Sequence, residues 1–129
     1  MAAAVTHFEI FGEDLARLAE FYSGLFDWKI EKATAIDYYR IHINASEATS
    51  VQGGMLHRPI LGPRSWVHYV HVDSIDDAVE RAISLGGKVV LAKTAVPKTA
   101  WYALLEDPEG NIFAIYQPDA AAFPPPEPE

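Results

Sequence analysis

The chain has 129 residues, a length that predicts a single domain, and half of its residues are apolar, as in ordinary globular proteins. It has no cysteine, which excludes disulfides, thiolate nucleophiles and cysteine-bound metal clusters. Its net charge of −8 argues against nucleic acid or an anionic membrane as a partner, because both carry the same sign. No apolar run reaches membrane-spanning length and the N-terminus lacks signal-peptide features, so we expect a soluble, cytoplasmic protein.

The first half of the chain predicts one strand, one helix and three further strands. Apolar residues recur at helical spacing from Asp14 to Phe26, and Asp14 is a candidate N-cap. The strands expected around this helix lie at Val5–Phe11, Trp28–Lys32, Asp37–Ile43 and Val51–His57.

The second half repeats this order at an offset of 60 residues. A helix is expected over Ser74–Gly86, with Ser74 as its N-cap and Gly86-Gly87 at its end. A turn over Asp107–Asn111 precedes the last strand. The strands expected in this half lie at Trp66–Val72, Lys88–Ala92, Ala100–Glu106 and Ile112–Gln117.

These elements predict an α+β fold of two βαβββ modules, at about residues 5–57 and 66–118, within one domain over residues 1–118. We expect a curled mixed sheet around a concave cavity, with the helices on the outside, and the cavity is the default ligand site. Residues 119–129 are rich in proline and are expected to form a flexible tail.

Several short motifs occur in the order and spacing of a known superfamily. The chain resembles the vicinal oxygen chelate superfamily, which includes glyoxalase I, bleomycin-resistance proteins and extradiol dioxygenases, over about residues 5–118. The residues that carry this resemblance are His7, Asp14-Leu15, Phe21-Tyr22, Phe26-Asp27-Trp28, Val72–Ala78, Leu85–Val89 and Asp107–Asn111.

The resemblance implies a divalent metal, held at four inward strand positions, that chelates two oxygens of the substrate and acts as a Lewis acid. His7 fits the first of these positions, but the corresponding position in the second module holds Val67 and the last-strand position holds Ala114. The fourth position falls near Gln52, a weak oxygen ligand. With only His7 and Gln52 as candidate ligands, we expect no tightly bound cofactor, although a divalent metal remains an alternative.

Strand alternation predicts which side chains share the inward face. His7 and Glu9 share one face of the first strand, and Glu9 is a candidate general base if it is buried. Aromatic residues are candidate walls for a flat ligand. The expected ligand-binding residues are His7, Glu9, Tyr69, His71, Trp101 and Tyr116.

The leading hypothesis for function is the binding of a small, partly aromatic or apolar molecule in the cavity by a homodimer, the assembly that the resemblance implies. The competing hypothesis is a metal-dependent lyase, isomerase or dioxygenase with a rearranged site around His7, Glu9 or Gln52, and His71. A third is an accessory domain whose tail or sheet edge binds another protein.

Overall fold

The computed structural model describes residues 2–43, 51–59 and 62–123. The chain divides into two compact units, one comprising residues 6–68 and the other residues 1–5 with 69–129. The division falls three residues into the strand that opens the second predicted module.

The first module has the predicted order of elements. It consists of β1 (Val5–Gly12), α1 (Leu15–Phe26), β2 (Lys29–Lys32), β3 (Tyr39–His42) and β4 (Gln52–His57). β2 pairs with β3 and β3 with β4 in antiparallel fashion, whereas β1 and β4 are parallel.

The helix α1 begins and ends as its sequence predicts, and it covers one face of this sheet. The Asp14 carboxylate accepts a hydrogen bond from the Arg17 amide at 3.1 Å, which satisfies one of the free N–H groups of the first turn. At the other end, Asp27 adopts a left-handed conformation, with φ of 60°, that terminates the helix. Apolar side chains from the helix and the strands form the core, which is built from Phe8, Ile10, Leu15, Ile41 and Met55.

The second module repeats this arrangement. It consists of β5 (Trp66–His71), α2 (Ile75–Ser84), β6 (Lys88–Val96), β7 (Ala100–Glu106) and β8 (Ile112–Pro118). β5 and β8 are parallel, and β7 pairs antiparallel with both β8 and β6. The core beneath α2 is formed by Ile75, Ala103, Leu105 and Ile115.

The caps and the turn of the second module are also as predicted. The Ser74 hydroxyl accepts a hydrogen bond from the Asp77 amide at 3.2 Å. Gly86 follows the helix with φ of 98°, and Gly110 in the turn has φ of 88°, both in the region that favours glycine. The α+β prediction of two βαβββ modules is therefore confirmed. The clearest difference between predicted and observed bounds is in β6, which ends at Val96 rather than Ala92. Its pairing with β7 continues past two irregularities in register, as far as the pair Val96 and Ala100.

Contacts of the second module continue beyond β8 into the predicted tail. The Asp119 amide donates to the Thr99 carbonyl at 2.9 Å, and the Lys98 amide donates to the Ala122 carbonyl at 2.8 Å. The Trp101 indole donates to the Asp119 carboxylate at 3.0 Å, and Ala122 is fully buried. The first part of the predicted tail is thus bonded to the β6–β7 turn, whereas residues 124–129 lie outside the described residues. Neither α1 nor α2 is long and apolar enough to cross a membrane.

Substituting Gly53 tests the packing of the first core. A Cβ at Gly53 would lie 2.6 Å from the Phe8 ring, so Gly53→Ala is expected to cost about 1–3 kcal/mol of unfolding free energy through overpacking. Gly24→Ala is the matched control, because nothing lies within 4 Å of a Cβ there and alanine stabilises a helix by about 0.5–1 kcal/mol relative to glycine. Urea denaturation measures both variants, and equal stabilities would contradict the packing account.

Candidate functional site

The face of the first module opposite α1 carries polar side chains. Phe8 and Ile10 of β1 point into the core beneath the helix, so alternation places the intervening His7 and Glu9 on the other face. His7 is paired in register with Gln52 of β4, and Glu9 with Gly54. This placement of His7 and Glu9 agrees with the sequence prediction.

Glu9 is bonded to a residue that the sequence analysis missed. The Tyr38 hydroxyl donates a hydrogen bond to Glu9 Oε2 at 3.2 Å, and both side chains are partly buried. The tyrosine ring lies directly over Gly54, where any Cβ would collide with its hydroxyl. Burial, and secondarily the negative charge of Glu9, raise the pKa of Tyr38 well above the usual range of a phenol. Tyr38 is therefore a neutral donor that favours the ionised form of Glu9.

The loop that carries Tyr38 is fastened at both ends. The Ala33 amide donates to the Tyr38 carbonyl at 2.8 Å, which closes the loop between β2 and β3. Next to Tyr38, the Asp37 carboxylate is hydrogen-bonded to the His57 ring at the end of β4. These contacts hold the phenol in place over Gly54.

His7 is a half-buried, neutral imidazole. Its burial lowers its pKa below the usual value for histidine, because a charged ring would lose solvation. The hydroxyl of Thr6 lies 3.2 Å from its Nδ1, within hydrogen-bonding distance. A neutral histidine can bind either a metal or a polar ligand group.

Gln52 is bound to the backbone. Its Oε1 accepts from the Ile43 amide at 2.8 Å, and its Nε2 donates to the Ile43 carbonyl at 3.1 Å. The side-chain amide thus takes the place of a paired strand residue at the end of β3. These two hydrogen bonds with the main chain give Gln52 a structural role, and they argue against its predicted use as a metal ligand.

In the second module, the face opposite α2 is lined by tyrosines. The rings of Tyr69 and Tyr102 lie 6.4 Å apart, and Tyr102 is paired in register with Tyr116 across β7 and β8. Tyr116 is also paired in register with His71 of β5. Of these residues, Tyr69, His71 and Tyr116 were predicted as ligand-binding residues, and we call the three tyrosines the tyrosine face.

Trp101 was predicted to line the ligand site together with Tyr69 and Tyr116, but it lies on the opposite face of the sheet from these tyrosines. It packs against the core of Ile75 and Leu105 beneath α2. The Lys93 ammonium lies 4.7 Å from the centre of its ring, and its indole N–H is bonded to Asp119. Trp101 is a structural residue of the β6–β7 hairpin, and its neighbour Tyr102 takes the position that was expected for it.

The metal positions implied by the resemblance hold few donors. Val67 is 1% exposed and Ala114 is 0% exposed, so two of the four positions are buried apolar side chains. Within residues 2–43, 51–59 and 62–123, no group of three or more His, Asp or Glu side chains could hold a metal ion. These residues do not fit the four-position centre that the resemblance implies.

Comparison with known proteins decides the family. Residues 8–116 match the sequence profile of the glyoxalase-like domain. The chain belongs to this family. The resemblance to the vicinal oxygen chelate superfamily predicted from the sequence is thereby confirmed.

Individual relatives of this glyoxalase-like domain are distant and longer. "Putative glyoxylase CFP32" of Mycobacterium tuberculosis is 34% identical over 67 residues, which are 51% of this chain and 26% of that protein. "Anthracycline biosynthesis protein DnrV" of Streptomyces peucetius is 26% identical over 125 residues, covering 85% of this chain and 45% of that protein. The chain thus spans less than half the length of either relative.

Solved structures share the fold. A glyoxalase/bleomycin resistance protein/dioxygenase superfamily member from Vibrio splendidus superposes with a TM-score of 0.62 at 13% identity, covering 92% of this chain and 100% of that one. At this identity the likeness shows the fold alone. One fold hosts many activities, so the function of this chain depends on its own side chains.

Tyr38 is expected to remain protonated where an ordinary tyrosine ionises, near pH 10. The difference in tyrosinate absorbance between the native protein and Tyr38→Phe should be close to zero near that pH. In guanidinium chloride, where the chain is unfolded, the same difference should equal the absorbance of one tyrosinate, which is one sixth of the signal from the six tyrosines. Because only the unfolded chain loses this proton near pH 10, the contribution of Tyr38 to the unfolding free energy is intact below about pH 10 and falls as the pH rises above it. A full tyrosinate signal from folded Tyr38 near pH 10 would contradict the assignment.

Proposed function

We propose that this glyoxalase-like domain binds a small, flat aromatic molecule bearing hydroxyl groups, without a tightly bound metal. The observation that carries the proposal is the hydrogen bond between Tyr38 and Glu9 above Gly54. It provides a fixed, partly buried carboxylate on the face of the sheet that does not pack against a helix. A carboxylate has about four lone-pair positions and can accept several hydrogen bonds at once, one of them from a ligand hydroxyl.

The tyrosine face is a surface of the second module, considered by itself, that favours an aromatic ligand. Tyrosine rings provide a large apolar surface at a small cost in side-chain entropy, and they pair favourably with other rings. The rings of Tyr69 and Tyr102 are tilted by 47°, and edge-on or offset contacts with a further ring are compatible with such an arrangement. The name of the relative DnrV refers to anthracycline biosynthesis, and anthracyclines are hydroxylated aromatic compounds.

Glu9 is proposed as an anchor for the ligand rather than as a general base. The hydrogen bond from Tyr38 stabilises the ionised carboxylate, and a base must take up a proton during the reaction. An anchor benefits from the same bond, because it fixes the side chain before the ligand arrives. Binding is therefore favoured over catalysis at this residue.

A defined probe tests this binding function. 2,3-Dihydroxynaphthalene has two neighbouring hydroxyl groups on a flat double ring, and its fluorescence reports binding. Glu9→Gln is expected to weaken its affinity about tenfold, because hydrogen bonds to charged groups contribute about 1.5–3 kcal/mol and each 1.4 kcal/mol is tenfold.

Glu31→Gln is the matched control for Glu9→Gln. Glu31 is an exposed carboxylate of β2 that pairs with Lys29 at 2.9 Å, so Glu31→Gln removes the same charge without altering the proposed anchor. The affinity of the Glu31→Gln variant for the probe should equal that of the unaltered protein. Equal affinities of all variants, or no saturable binding of the probe, would sink the proposal.

A metal titration tests the competing hypothesis of a metal-dependent enzyme. Protein purified without chelators or an affinity tag is titrated with Ni²⁺, Zn²⁺, Mn²⁺ and Fe²⁺, and its thermal unfolding is followed. We expect no increase in Tm at micromolar ion, because Val67 and Ala114 supply no ligands and Gln52 is bonded to the backbone. About one ion per chain, lost in His7→Ala, would instead establish a metal site and reopen the lyase, isomerase and dioxygenase alternatives.

A further inference from the structure

Asp37 and His57 extend the contact between β3 and β4 beyond its last backbone pair. The register of these antiparallel strands begins with Tyr39 opposite Met55. Continued outward by two residues, the same register places Asp37 opposite His57, and their side chains are hydrogen-bonded there. On its other side β4 is paired with β1, in which Gly12 is the partner of His57. The loop before β3 is therefore tied to a strand that is itself held on both sides.

This hydrogen bond and the Tyr38 hydroxyl lie on opposite faces of the sheet. Met55 belongs to the core beneath α1, so alternation along β4 places His57 on the helix side, together with its partner Asp37. Tyr38 is the next residue along the chain and points the other way, which agrees with its bond to the Glu9 carboxylate. A contact on the helix side thus sets the direction of a side chain on the opposite side.

The Tyr38 side chain crosses β4 to reach Glu9. Because β4 lies between β3 and β1, and neighbouring strands are about 4.8 Å apart, only a long side chain can bridge the outer two strands. Gly54 leaves the path across β4 clear, since any Cβ there would collide with the Tyr38 hydroxyl. The bond of 3.2 Å between Tyr38 and Glu9 therefore depends on where the backbone of Tyr38 is held.

Ionisation of Tyr38 reports whether its phenol is in place. Burial of the phenol raises its pKa most, the negative charge of Glu9 raises it further, and Arg40 lowers it. Both the burial and the contact with Glu9 are lost when the phenol moves away from the sheet. A loosened Tyr38 should therefore ionise like an ordinary tyrosine, whether or not a ligand is present.

We propose that Asp37 and His57 are positioning residues for the Glu9 carboxylate. Their hydrogen bond holds the residues before β3 in register, this register aims the Tyr38 hydroxyl across β4, and the hydroxyl orients the carboxylate. A ligand that binds to Glu9 then meets a side chain that is already ordered, which reduces the entropy lost on binding. This role rests on the proposed function, in which Glu9 anchors the ligand.

The first measurement is the ionisation of Tyr38 in His57→Ala, with far-UV circular dichroism to show that the variant is folded. Tyrosinate absorbance is compared between His57→Ala and His57→Ala/Tyr38→Phe. At about pH 11 the difference should approach one tyrosinate, whereas the same comparison in the unaltered background should show almost none. Asp37→Ala should behave like His57→Ala. His57→Gln keeps an N–H donor and should restore the behaviour of the unaltered protein.

The second measurement is the affinity for 2,3-dihydroxynaphthalene. His57→Ala is expected to weaken it about two- to tenfold, which is the contribution of one hydrogen bond. In a Tyr38→Phe background His57→Ala should have no further effect, because the connection to Glu9 is already broken. His68→Ala is the matched control and should leave the affinity unchanged, since His68 is an exposed histidine of β5 whose ring lies 6.4 Å from that of Trp66.

A Tyr38 that stays protonated at about pH 11 in folded His57→Ala would overturn the positioning role. An unchanged affinity in His57→Ala would do the same, as would a loss of affinity that is equally large with and without Tyr38→Phe. If the unaltered protein does not bind the probe at all, the proposed function fails, whereas the ionisation of Tyr38 still decides whether His57 and Asp37 position it.

Discussion

The arrangement of the first module depends on two consecutive glycines in β4. Gly53 leaves room for the Phe8 ring on the helix side, and Gly54 leaves room for Tyr38 on the other side. The Phe8 ring is further held by Trp66, whose ring is stacked 5.3 Å away. Because the same strand must accommodate one large ring on each face, a shift of register by one residue would disrupt both contacts at once. The polar groups of β1 therefore face away from the helix in a fixed register.

The two modules share a backbone plan but differ in the chemistry of their surfaces. The face opposite the helix carries a histidine and a hydrogen-bonded carboxylate in the first module, and three tyrosines in the second. Beneath the helices the difference is one of volume, since Tyr22 is replaced by Ala82 at the equivalent position. The two modules thus have helix caps and an apolar core at equivalent places, although the residues that form them differ, and the side chains on the faces opposite the helices differ as well.

Most of the fold could be predicted from the sequence, because α1 and α2 have helical apolar periodicity and defined caps, and both modules show the same order. The candidate site could be predicted only where a strand alternates clearly, as β1 does around His7 and Glu9. β7 is apolar at nearly every position, so its pattern could not indicate that Trp101 faces the helix and Tyr102 the other side. The sequence predicted a strand from Asp37, but Tyr38 lies in the loop before β3, and no periodicity there links a residue to a distant carboxylate.

The hydrogen bonds between residues 119–122 and the β6–β7 turn determine where a segment attached after β8 would be anchored to the sheet. A segment attached after β8 would ordinarily hang from the end of a strand. Here the chain leaves instead from the tip of a hairpin, where Ala122 is enclosed and the Asp119 carboxylate holds an indole. A tensile force applied beyond this point would act on the β6–β7 turn before it acts on the rest of the sheet. A fusion partner or second domain would therefore be mechanically coupled to the β6–β7 hairpin.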